Sequence, residues 1–188
     1  MKVFFDSETS GKTDFKSPAE ASHQPRLVQL GIFLVEDDGK EISSANIVVK
    51  PEGFVIPKEA SNIHGITQEM ALRVGVPLKI ALGVFWGYIS VADTMVAHNI
   101  DYDDFVMRGE FLRDKRSYEF AKDKKRFCTM RAMENVCKLP GNYGKYKWPT
   151  LAEAYKFAFG KEMSGSHNAL YDILACKDIY FWLKQQTS

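Results

Sequence analysis

Hydrophobic residues along this chain fall first in short strand-like runs and later at helical intervals. Residues 2–6 (Lys-Val-Phe-Phe-Asp) read as a strand running into acids, and 27–35 and 41–50 as two more. Asp38-Gly39 between the last two marks a tight hairpin turn, which needs positive φ. Residues 10–24 are polar and irregular, a loop, and 51–57 form a turn region. A short helix is expected over 68–73 after Thr67. Pro77 opens a longer helix, with Leu78, Ala81, Leu82, Phe85 and Ile89 on one stripe. Residues 94–98 read as a buried strand, and helical spacing resumes at Tyr102, Phe105, Val106, Gly109 and Leu112. Residues 127–130 are the last strand candidate and 140–149 a loop. A helix over 150–159 stops at Gly160. The final helix, 169–183, carries Leu170, Ile173, Cys176, Ile179, Tyr180 and Leu183. Hairpin-linked strands followed by alternating units predict an α/β fold, a mixed sheet flanked by helices. With no repeat or linker, residues 1–188 read as a single domain.

Composition narrows this only slightly. A chain of 188 residues, 45% hydrophobic and 26% charged, is neither disordered nor fibrous. Its apolar runs are too short to span a bilayer, so no membrane partner is expected. Asp6 arrives too early for a secretory leader. Cys128, Cys137 and Cys176 lack the pairing of a disulfide framework or zinc site, which suits thiols in a reducing, cytoplasmic compartment. The net charge of +1 hides an asymmetry: residues 108–147 hold twelve Lys and Arg against five Asp and Glu. Such a segment is either a solvated face or a surface for a polyanion.

Three acidic elements carry the chemistry. Asp6 and Glu8 lie two apart on a strand and so share a face. Asp101, Asp103 and Asp104 follow an apolar strand at the start of a helix, where acids also serve as caps. Asp172 follows His167 by five residues, about 140° around an ideal helix. If both serve one site, His167 belongs in the Gly165-Ser166 loop while Asp172 projects from the helix. Two carboxylates 4 Å apart repel by about 4 kcal/mol at an effective dielectric of 20, so a cluster needs cations. Oxygen-only ligands select Mg²⁺ or Mn²⁺, and two such ions suit phosphodiester displacement. A histidine near neutrality could take the proton of an attacking water.

The stretches Phe4 to Gly11 (D-x-E-T-x-G), Ile63 to Thr67 (I-H-G-I-T), Val96 to Asp103 (V-x-H-N-x-x-[FY]-D) and His167 to Asp172 (H-x-A-x-x-D) run in the order of the DnaQ-like, or DEDDh, 3′→5′ exonucleases, which the chain resembles. The resemblance implies a ribonuclease H-like fold with a five-stranded mixed sheet. It also implies release of 5′-mononucleotides from a 3′ end by a two-metal mechanism. By position it makes Asp6, Glu8, Asp103 and Asp172 the metal ligands and His167 the general base. It places Thr9, Ser10, His64, Ile66, Asn99 and Tyr102 against the terminal nucleotide. Ser7 departs from the family's usual residue without disturbing the metals. The pattern of His167 is repeated at His98, which ends an apolar strand and is expected to be packed instead. Single-stranded DNA is the favoured substrate. An exoribonuclease of the RNase T type and a catalytically silent binding module are the alternatives, and a polymerase or repair partner is left open. Residues 115–126 then suggest a phosphate track, and Lys145-Tyr146-Lys147-Trp148 a surface for unpaired bases, although Trp148 beside Pro149 also suits a core.

Overall fold

In the computed structural model, which describes residues 1–163 and 169–186, parity along the first strand sorts the core into two halves. Strand β1 (Lys2–Thr9) sends Val3 and Phe5 to one face and Phe4 to the other. It pairs antiparallel with β2 (Leu27–Val35), which pairs antiparallel with β3 (Glu41–Val48). On its other edge β1 runs parallel to β4 (Thr94–Ala97), and β4 parallel to β5 (Lys125–Cys128). The order β3-β2-β1-β4-β5 is the five-stranded mixed sheet expected from the sequence.

Two short helices, α1 (Lys58–His64) and α2 (Gln68–Val74), follow β3. Helices α3 (Leu78–Val91) and α4 (Ile100–Arg113) cover the face of Val3 and Phe5. Helices α5 (Thr129–Cys137) and α6 (Leu151–Phe159) pack with α7 (Ala169–Gln186), which covers the face of Phe4. The capping box of Thr150 and Glu153 and the left-handed Gly160 bound α6. Among the described residues no helix is long and apolar enough to cross a membrane, and all three cysteines are free.

Two packing details fix the site. Gly31 pairs with Asp6, and a Cβ on it would lie 2.4 Å from Cδ1 of Ile173 and 3.0 Å from Cβ of Ala169. Its missing side chain lets the first turn of α7 press onto the sheet beside Asp6. On the other face, the long β1–β2 loop is tied to α4. Buried Glu110 accepts Arg26 Nε at 2.8 Å and the Leu27 amide at 2.9 Å, and forms an ion pair with Arg113 at 3.2 Å. Arg113 also donates to the Ala19 and Ala21 carbonyls.

Several elements differ from the sequence reading. β1 continues through Glu8 and Thr9, so both acids belong to the strand. β5 ends at Cys128, and Thr129 and Met130 open α5, a helix the pattern did not suggest; α1 was likewise unforeseen. Leu112 faces outward, whereas Val106 and Gly109 are buried as expected, together with Ile100, Asp103, Met107, Glu110 and Phe111.

Candidate active site

The parallel strands β1, β4 and β5 end on one edge of the sheet, and the acids collect there. Asp6 and Glu8 share β1's even face, which α7 covers, and Asp172 lies in the first turn of α7. Asp6, Glu8 and Asp172 each offer an oxygen within 4.8 Å of the others', a spacing that could hold a metal ion. Asp103 enters from α4, on the odd face, and is only 3% exposed. Its Oδ1 accepts the Ser7 amide at 2.9 Å and the Ser7 hydroxyl at 2.6 Å. It lines the same cavity of about 410 Å³ as the other three acids, together with Ser7, His98, Asn99 and Tyr102.

Crowding is written into the acidities. Asp6 is raised well above the ordinary carboxyl value by burial first, then by the charges of Asp103, Glu8 and Asp172. Glu8 is pushed up to about 7 by burial and then by Asp172 and Asp103. Asp103 is pushed to about 7 by burial, against the lowering effect of its Ser7 hydrogen bonds. Carboxyls that resist losing their protons this strongly fit a site built for hard cations.

A second cavity, of about 370 Å³, opens beside Glu8, lined by Thr9, Gly11, Ile63, His64 and Tyr102 among others. The hydroxyls of Thr9 and Tyr102 lie 2.6 Å apart, and each lies 2.7 Å from the Gly11 carbonyl. One hydroxyl therefore donates to the carbonyl while accepting from the other. Burial raises Tyr102 to about 12, so it stays protonated. His64 is buried, and its Nδ1 accepts the Ile66 amide at 3.1 Å. That fixes the proton on Nε2, which is buried facing the Thr9 backbone without a well-formed hydrogen bond among the described residues.

The sequence model of the RNase_T exonuclease family matches residues 3–180. The chain belongs to this exonuclease family. It is 27% identical over 183 residues to the uncharacterized exonuclease CP81 of Escherichia phage 186, covering 91% of this chain and 81% of that protein. E. coli Exonuclease I in complex with a dT13 oligonucleotide superimposes with a TM-score of 0.80 at 22% identity, over 99% of this chain and 41% of that one. The product-bound structure of exonuclease I gives 0.77 at 22% identity, over 98% and 43%. The chain therefore spans about two fifths of the length of Exonuclease I and shares its ribonuclease H-like fold.

The structure redistributes some of the residues singled out by sequence. His167 lies outside the described residues. His98 is packed, as expected: Nε2 donates to the Pro149 carbonyl at 3.0 Å and Nδ1 accepts from the Thr129 hydroxyl at 2.9 Å. Burial lowers it to about 4, so it stays neutral. Asn99 lines the acid cavity at the left-handed N-cap of α4. Ser10 lines the second cavity, but its hydroxyl accepts the Arg26 amide. Ile66 is 4% exposed and packs with Val28, Ile56 and Ala71; Ile63, 58% exposed, lines the cavity instead. A left-handed Gly65 ends α1 and turns Ile66 inward.

Ser7 is the residue that sequence reasoning undervalued. Strand alternation could have placed it on the α4 side, facing Asp103. The basic stretch is a second correction. β4 aligns Lys125 with Thr94, and β1 aligns Thr94 with Lys2. Residues 122–125 thus sit at the strand starts, on the order of 20 Å from Glu8. Arg116, Lys122 and Arg126 pair with Asp114, Glu119 and Asp104. Trp148 is no core residue, being 54% exposed.

Proposed function

We propose that this chain is a 3′→5′ exonuclease that removes 5′-mononucleotides from single-stranded nucleic acid, DNA first among them. The observation that carries the reading is the convergence of Asp6, Glu8 and Asp172, from β1 and α7, on one point. Asp103 completes the set through its anchor on Ser7. Mg²⁺ or Mn²⁺, two ions per site, would supply a clamp on the attacking and leaving oxygens of the phosphodiester. The protein's share is to hold the strand end and to take the proton. The pocket of Thr9, Ile63, His64 and Tyr102 receives the terminal nucleotide. His167 is the proposed base on the strength of its motif five residues before Asp172. His98 is unsuited to that task, because both its ring nitrogens are engaged.

The known structures of Exonuclease I with dT13 and dA16 oligonucleotides support the choice of single-stranded DNA. The test is digestion of one oligonucleotide labelled at either terminus, with Mg²⁺ and with EDTA. Loss of a 3′ label before any 5′ label, abolished by EDTA and by Asp6→Asn, is expected. Metal-independent binding without cleavage would instead reveal a silent module, and preference for a matched RNA an exoribonuclease.

A further inference from the structure

The loop joining α5 to α6 spends conformational energy to display aromatic rings. Tyr143 is fully exposed and sits in the left-handed region at φ 56°, which a side chain with a Cβ adopts at a cost. Tyr146 and Trp148 are also exposed, at 42% and 54%. Nothing about this loop is slack. Pro140 and Tyr146 form an antiparallel bridge, Gly141 N donates to Lys145 O at 3.0 Å, and Lys147 N to Leu139 O at 3.0 Å. A Cβ on Gly141 would lie 2.7 Å from the Lys145 carbonyl oxygen, so glycine is required for the loop to close. The Trp148 indole N–H is fixed on Glu134 Oε2 at 3.0 Å, which orients the ring while leaving it uncovered.

The loop is also attached to the acid site. Trp148 precedes Pro149, whose carbonyl holds His98, and His98 lines a cavity of about 320 Å³ with Asp6, Asp172, Thr150 and Leu151. This cavity and the pocket of Thr9, Ile63 and His64 both adjoin the acid cavity: one shares Asp6, Asp172 and His98 with it, the other Glu8 and Tyr102. A strand whose last nucleotide fills the Thr9–His64 pocket can lead its remaining nucleotides away across the acids, and the cavity of His98, Thr150 and Leu151, where the loop runs into α6, offers the exit.

We propose that Tyr143, Tyr146 and Trp148 form a stacking platform for unpaired bases upstream of the scissile phosphate. Every base has a π-face, so such a platform binds without regard to sequence, and it rejects duplex ends whose bases are already stacked. Lys145, exposed and without an ion pair among the described residues, supplies a cation for the backbone between those bases. The proposal rests on the exonuclease reading of the acid site and adds the place where the rest of the strand is held.

The test compares the wild type with Tyr143→Ala and Trp148→Phe on two probes, a thymidine dinucleotide and an oligothymidylate of about ten residues. Cleavage is followed with Mg²⁺ and binding with Ca²⁺. Tyr143→Ala is expected to raise KM for the long probe on the order of tenfold, the scale of one lost base–aromatic stack, and to leave the dinucleotide's kinetics unchanged. The long probe should quench tryptophan emission in the wild type, and Trp148→Phe should remove that quench. Equal kinetics of Tyr143→Ala and wild type on both probes, or a quench that survives Trp148→Phe, would overturn the platform. A wild type that neither binds nor cleaves either probe would overturn the exonuclease reading itself, which separates the two failures.

Discussion

Ser7 shows how much one side chain can settle. Asp103 sits on the opposite face from Asp6 and Glu8, buried, and Ser7 holds it with two hydrogen bonds. Those bonds work against the burial that raises Asp103. Ser7→Ala should therefore raise Asp103 further and move the acid limb of the pH–rate profile to higher pH; an unshifted limb would separate Asp103 from the chemistry. Removing one hydrogen bond to a buried charge should also cost about 1–3 kcal/mol in a denaturant titration. Histidine chemistry divides similarly. His167→Ala is expected to lower turnover at least about a hundredfold, whereas His98→Ala should reduce turnover far less and lower Tm, because His98 joins β4 to α5 and Pro149. Equal losses of turnover would reverse that assignment. At this scale the motifs made Asp6, Glu8 and Asp172 legible as a group. Ile66 was misplaced because the helix-ending turn at Gly65, which sends Ile63 outward and Ile66 inward, is a matter of three-dimensional path.

Among the elements, those with a long apolar rhythm were legible and the short ones were not. β2, α3 and α7 bury continuous runs or clear stripes, and their extents agree closely with expectation. α1 buries only Ala60 and His64, too little for a pattern. β5 passes into α5 with Cys128 as the N-cap and no turn residue between them, so one apolar run covers both strand and helix. β1 was read as too short because a buried strand does not ordinarily contain two acids. Such a conflict between local preference and fold is expected at a functional site. The approach of α7 to the sheet gives this scale its prediction. Gly31→Val should push the first turn of α7 outward, since Ala169 cannot yield as the tip of Ile173 can. Overpacking of this kind costs about 1–3 kcal/mol. Because Asp172 rides on that turn, Mn²⁺ affinity should fall more than Tm does; unchanged affinity would show that Gly31 serves packing alone.

The whole molecule is an α/β sheet that tolerates repulsion at one edge. The pH dependence of stability without metal follows from the shifted groups. Glu8 binds its proton more tightly folded than unfolded, so its contribution is fully present below about pH 4.5 and is lost as pH rises through about 7. Asp103 and Asp6 act in the same direction. His98 has the opposite sign: lowered to about 4, it costs stability as pH falls below about 6.5. His64, also lowered by burial, acts with His98, and three carboxyls against these two imidazoles predict a metal-free Tm that rises as pH falls from about 7 to about 5. A Tm falling over that interval would mean that the acids are not crowded. The most direct measurement of the central claim is thermal unfolding at neutral pH with EDTA, with Mg²⁺ and with Mn²⁺, for the wild type and Asp6→Asn. Either metal should raise the wild-type Tm, because cations bind the folded cluster better than the unfolded chain. Asp6→Asn should unfold at a higher temperature than the wild type in EDTA, freed of repulsion, and gain little from metal. A wild-type Tm indifferent to millimolar metal, with Asp6→Asn no more stable in EDTA, would contradict the account.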